Sequence, residues 1–180
     1  MNKITTKDLV MMSLLVAITI ILSRFLSIST PIIKIGFSFV PLTIAGILYG
    51  PKYTMIIAVI ADLIGVTLIT GDFFPGFTVT TALVGLLYGK FLYNKPKAMR
   101  NIIICTILVN LVELILNTGN IYLLSGYGFM ATLPTRAFKA ALMVPIKAFV
   151  IYNVSYPIVS MKNMAMNISM KNMAMNRRAV

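Results

Sequence analysis

Long apolar runs alternate with short, turn-like polar breaks along the whole chain. Six apolar stretches stand out, at 8–28, 35–50, 53–70, 77–93, 101–124 and 132–159. Most approach the roughly 20 residues that a bilayer-spanning helix needs. The second is short, about 16 residues, and is expected to tilt little or to be partly irregular. The pattern predicts an all-α integral membrane protein with six transmembrane helices over residues 1–159. Lys3 and Lys7 precede the first stretch, as in a signal peptide. Its length and its internal Arg24 favour a retained helix. Residues 160–180 form a Met/Asn-rich tail in which MKNMAMN occurs twice, at 161–167 and 170–176. A polar, duplicated terminus of this kind is expected to be a disordered cytoplasmic tail.

Composition strengthens the membrane reading. The 180 residues are 59% apolar and 11% charged, with a mean hydropathy of +0.93. Soluble domains run at about 45–50% and about 25%, and a soluble core of this size could not bury the excess. The net charge of +12 would suggest nucleic acid in a soluble protein. Its placement says otherwise. Lys3, Lys7, Lys52, Lys90, Lys95, Lys97, Arg100, Lys162, Lys171, Arg177 and Arg178 all fall on the side of the N-terminus. The opposite loops hold only Lys34, alongside Asp72. Cytoplasmic loops carry the Lys/Arg excess, so both termini are expected in the cytoplasm, as an even number of spans requires. The lipid bilayer is then the implied partner, with no nucleic acid, and the localisation is the plasma membrane.

Several activities drop out. There is no His, and Cys105 is the only cysteine, so no metal site or cofactor is expected. No phosphate-binding GxxxxGK[ST] motif is present, so any ATP hydrolysis belongs to other subunits. Nothing suggests the duplicated halves of many secondary transporters. The residues fit a binding module powered from elsewhere. Two rivals of another class are a small membrane enzyme using Asp62 and Glu113, and an assembly protein whose charges are purely structural.

Charges inside spans are costly and should face protein, water or ligand. Asp62, Glu113 and Lys147 fall near span middles and are expected to neutralise one another as a buried clamp. Arg24, Arg136 and Lys139 lie toward the outer ends of the first and sixth spans, where no intramembrane acid is expected. Arg136, Lys139 and Lys147 share one helix face by their spacing. The basic stripe reads either as snorkelling side chains or as an outward anion site suited to carboxylates.

The outer segment Gly71-Asp72-Phe73-Phe74-Pro75-Gly76-Phe77-Thr78 demands a turn. Phe73, Phe74 and Phe77 serve there as interfacial anchors or as rings covering a flat ligand. Asn117-Thr118-Gly119-Asn120-Ile121-Tyr122 forms a second outer cluster. Asn117 can both donate to and accept from a heterocycle edge, or bond a neighbouring helix. Ser13 and Ala17 have the small-xxx-small spacing that permits close helix approach, as do Gly46 with Gly50 and Gly85 with Gly89.

In order along the chain, Leu22-Ser23-Arg24-Phe25, Phe37-Ser38-Phe39-Val40-Pro41, Gly46-Ile47-Leu48-Tyr49-Gly50-Pro51 and Ala61-Asp62-Leu63-Ile64-Gly65 are followed by Phe74-Pro75-Gly76-Phe77-Thr78, Leu116-Asn117-Thr118 and Pro134-Thr135-Arg136-Ala137-Phe138-Lys139. With these stretches the chain, over about residues 8–155, resembles the folate-specific substrate-binding (S) subunits of energy-coupling factor (ECF) transporters. It departs from the family pattern at Gly119-Asn120, where a large aromatic is expected. The resemblance implies a six-helix fold capturing folate, or a related anionic vitamin, at the outer face with high affinity. It implies docking on a transmembrane coupling subunit served by two ATPase subunits, with Ser13 and Ala17 in the docking surface. It also implies inward delivery by toppling of the S subunit in the membrane. Folate's pterin would lie among Phe73, Phe74, Phe77, Thr78 and Tyr122 with Asn117 on its polar edge. Its carboxylates would meet Arg24, Arg136 and Lys139.

Overall fold

The computed structural model describes residues 5–29, 34–70, 73–93, 99–125 and 129–178. Among these, five helices carry the chain: α1 (Thr6–Arg24), α2 (Phe39–Gly65), α3 (Pro75–Leu92), α4 (Met99–Ser125) and α5 (Phe129–Arg178). Two short strands, β1 (Ser27–Ser29) and β2 (Lys34–Gly36), pair antiparallel between α1 and α2, with Ile28 opposite Ile35. Four helical stretches are long and apolar enough to cross a membrane: Thr6–Arg24, Phe39–Leu68, Met99–Leu124 and Leu133–Ser160. The molecule is thus an all-α, multi-span membrane bundle, apart from the one small hairpin.

Local chemistry sets the boundaries. Thr5 caps α1, its hydroxyl accepting from the Asp8 amide while the Asp8 carboxylate accepts from the Thr5 amide. This reciprocal box satisfies donors that a helix start leaves open. The first expected span, 8–28, ends earlier, because α1 stops at Arg24 and the chain turns into the hairpin. The second and third expected spans fall on the two helical segments of α2, which meet at a kink. Gly50 interrupts it with φ 78° and ψ −175°, just before Pro51. That backbone conformation is open to Gly and strained for other residues. A π-helical turn, Val66–Thr70, continues α2. α3 begins at Pro75, so Gly76, Phe77 and Thr78 are helical rather than loop. α5 runs on as helix to Arg178, over the segment expected to be a disordered tail. Residues 158–178 have no Gly or Pro, and their six Met, two Lys and two Ala, all good helix formers, outweigh four Asn.

The core lies where α2 and α3 meet backbone to backbone. A methyl group at Gly46 would sit 2.9 Å from the Tyr88 carbonyl carbon. One at Gly85 would sit 2.8 Å from the Thr54 carbonyl oxygen, and one at Gly89 would overlap Pro51. Both glycine pairs therefore work as close-approach surfaces within this chain. Around them Ile47, Ile57, Tyr88 and Leu92 pack with Ile102, Val109 and Ile151 of the last two helices.

Candidate functional site

The residues nearest the ends of α1 and α4 and the starts of α3 and α5 gather at one end of the bundle. Asp62, in the last turn of α2 before the π turn, joins two of them. Its Oδ1 lies 3.6 Å from an Arg24 terminal nitrogen, and its Oδ2 accepts from the Thr78 hydroxyl at 2.9 Å. The Arg24 and Asp62 side chains are only 14% and 15% exposed. The Arg24 guanidinium lies across Gly65, whose missing Cβ would fall 2.9 Å from Arg24 Nε.

Aromatic and amide groups stand next to this knot. The Phe74 and Phe77 rings meet edge to face, with centroids 5.8 Å apart and planes at 67°. A methyl group on Gly76 would overlap both the Asn120 carboxamide and the Phe74 ring. Asn120 Nδ2 donates to the Thr80 hydroxyl at 3.3 Å, tying α4 to α3. Arg136 on α5 donates to the Thr118 hydroxyl at 3.4 Å. The Thr118 hydroxyl in turn donates to the Leu114 carbonyl. Lys139 is half-buried on α5, one turn after Arg136. Two arginines, two aromatic rings and a carboxamide thus belong to helix ends that these contacts tie together, chemistry able to grip an anionic, partly flat molecule.

Several expected residues behave differently. Asp62 does not join Lys147; it meets Arg24, so an intramembrane acid does lie at the depth of that cation. The sequence places Asp62 by its position along one span, and a neighbouring helix end reaches it in space. Lys147 pairs with Glu113 at 2.8 Å and also donates to Asn110 Oδ1 at 3.0 Å. Its ammonium lies 5.9 Å from the Phe39 ring centre. The clamp is therefore a pair reinforced by an amide, and the third acid works elsewhere. Arg136 and Lys147 both turn toward α4, as their shared helix face requires. Phe73 is 49% exposed and Tyr122 51% exposed, so neither is enclosed by the bundle. Asn117 is half-buried beside Thr118. Asp72 and Gly71 lie outside the described residues.

Sequence reasoning assigns no role of their own to Asn120, Thr80, Thr118 or Gly65. Asn120 lies in the outer polar cluster, but periodicity cannot say that it faces α3. The Gly76 and Gly65 gaps are visible only once the side chains that fill them are placed. Ser13 and Ala17 remain exposed on α1, in line with Leu9, Val10, Leu14 and Ile21.

Residues 7–155 match the family model described as ECF transporter, substrate-specific component. The folate transporter FolT of Clostridium novyi (strain NT) is 36% identical over 146 residues, 80% of this chain and 85% of that protein. FolT of Leuconostoc mesenteroides subsp. mesenteroides is 34% identical over 162 residues, 83% of this chain and 85% of that protein. A crystal structure of FolT bound with folic acid superposes with a TM-score of 0.81 at 30% identity, covering 85% of this chain and 95% of that one. The S component of a bacterial ECF transporter shares the fold at a TM-score of 0.56 and 23% identity, over 90% of this chain and 96% of that one. With a family match across most of its length and relatives above 30% identity, this chain belongs to the substrate-specific components of ECF transporters.

Proposed function

We propose that the chain is the folate-binding S component of an ECF-type vitamin uptake transporter in the plasma membrane. The observation that carries this reading is that Arg24, through Asp62, reaches Thr78 beside Phe77, and Arg136, through Thr118, reaches the end of α4 that bonds α3, in a chain that superposes on a folate-bound relative. Folate has a flat pterin and a glutamate with two carboxylates. The rings of Phe73, Phe74 and Phe77 take the pterin, with Thr78, Asn117 and Tyr122 around it. Arg24, Arg136 and Lys139 take the carboxylates, and Arg supplies two parallel donors to each. The chain itself carries out no chemistry. A transmembrane coupling subunit and two ATPase subunits supply the energy, and Ser13 and Ala17 belong to the docking face.

Six passes with both termini in the cytoplasm fit this role. Lys52 follows the Gly50 break, and the Tyr93 ring packs against Gly50 at the end of α3. The break and the Lys90 end of α3 therefore share one end of the bundle. Arg24, Thr78 and Arg136 share the other. α2 accordingly counts as two passes, 39–49 and 51–65, and the site opens outward.

Titration of the purified protein with folate, thiamine, riboflavin and biotin tests the reading. Folate should bind tightest. Arg24→Ala and Arg136→Ala should each weaken folate by about tenfold or more, as expected for a lost charge-assisted contact. Equal affinity for all four vitamins would reject it.

A further inference from the structure

Asp62 has no part in ligand contact as assigned above, yet it touches two of the groups that do. We infer that Asp62 is a positioning residue for anion capture: its carboxylate seats the Arg24 guanidinium and the Thr78 hydroxyl together, fixing where α1 and α3 present their donors. The inference rests on the folate-binding reading of this end of the bundle.

Three features of the geometry carry it. The two carboxylate oxygens divide the work, with Oδ1 toward Arg24 at 3.6 Å and Oδ2 on the Thr78 hydroxyl at 2.9 Å. One rigid group therefore spans the end of α1 and the start of α3. The Arg24 contact is longer than the roughly 2.7–2.9 Å of a tight charge-assisted bond. At that distance it is an ion pair that holds the guanidinium in place rather than a tight hydrogen bond. Gly65, three residues on and on the same face of α2 as Asp62, gives the guanidinium a flat floor, because any Cβ there would fall 2.9 Å from Nε. Tether and floor belong to the same helical turn. The charge logic agrees. In a poorly hydrated site an arginine without a counter-charge is costly, so Asp62 balances Arg24 until an anion arrives. Asp62 is itself an acid next to an anion site, tolerable there only while Arg24 stands between the two charges.

That last point gives the test a sign. Folate dissociation constants are measured for the wild-type chain, Asp62→Ala, Arg24→Ala and the double variant, with melting temperatures alongside. Asp62→Ala should weaken folate by about tenfold when Arg24 is present, because the guanidinium loses its seat. In the Arg24→Ala background the same change should tighten folate, because it removes an uncompensated negative charge. Asp62→Asn, which removes the charge and keeps an acceptor for Thr78, should show the same reversal of sign between the two backgrounds, and it decides the matter if Asp62→Ala fails to fold. A purely structural Asp62 would weaken binding in both backgrounds, following the melting temperature, and that result overturns the inference. Unchanged or tighter binding by Asp62→Ala alone also overturns it. A wild-type chain that does not bind folate rejects the functional reading and this inference together; one that binds folate while the sign stays constant rejects only the inference.

Discussion

At the scale of single residues, the seat of Arg24 is the most sensitive feature. Gly65 sits in a helix, where an alanine is ordinarily the more stable choice. Here the added methyl would meet Arg24 Nε at 2.9 Å and a terminal nitrogen at 3.4 Å. The long side chain can yield, so Gly65→Ala should leave the melting temperature near wild type. It should nevertheless weaken folate by roughly tenfold, on the scale of a displaced charged hydrogen bond. Calorimetric titration beside a thermal melt separates the two effects. The buried pair behaves in the opposite way. Lys147 is almost wholly buried between Glu113 and Asn110, while the Glu113 side chain is 32% exposed. Glu113→Gln should cost about 1–2 kcal/mol of stability, less than a fully buried ion pair because Glu113 is partly open. A detergent melt with wild-type stability would dismiss the clamp. The sequence reveals that these charges are intramembrane and near which depth they lie. It does not reveal which helix stands opposite, and for that reason Asp62 reads as a partner of Lys147 although Arg24 is its neighbour in space.

At the scale of elements, the hydrophobic runs make the helices legible but leave their ends ambiguous. Apolar residues continue past Arg24, so periodicity extends the first span through Ile28; the backbone turns into a strand there instead. The Gly50-Pro51 break is read correctly as a discontinuity, while its geometry, a glycine at φ 78° between two helical segments, is a tertiary result. It is supported by the fit of α2 against α3, in which Pro51 covers Gly89 and the Tyr93 ring covers Gly50. Two consequences belong at this scale. Gly50→Ala puts a Cβ in a strained backbone region and should cost about 1–3 kcal/mol. Gly89→Leu cannot be accommodated without parting α2 from α3, and overpacking of this sort costs about 1–3 kcal/mol or more. Both variants should melt earlier, and Gly89→Leu should also lose folate binding, because α3 carries Phe77 and Thr78. Wild-type melting of Gly89→Leu would mean that the two helices can separate freely.

At the scale of the whole molecule, the two faces of α1 do different things. Leu15 and Thr19 are buried against the bundle, while Leu9, Val10, Leu14 and Ile21 are exposed. Lipid alone would satisfy such an apolar face. It would not call for Ser13 and Ala17, two small side chains one helical turn apart, both exposed. Small residues at this spacing allow another helix to approach closely, and among the described residues both side chains are exposed. Arg24 lies at the far end of the same helix, so under the proposed function α1 carries the ligand end and the docking face on one rod. A bulky group at Ala17 should therefore act on docking without reaching the site. Ala17→Trp is expected to keep the melting temperature and folate affinity of the purified chain. Co-expressed with the coupling and ATPase subunits, it should fail to co-purify with them, and folate uptake into cells or proteoliposomes should drop by at least about tenfold, as when one hot-spot contact is lost. Loss of binding together with transport would place Ala17 inside the fold, whereas undiminished uptake would move the docking face to another helix.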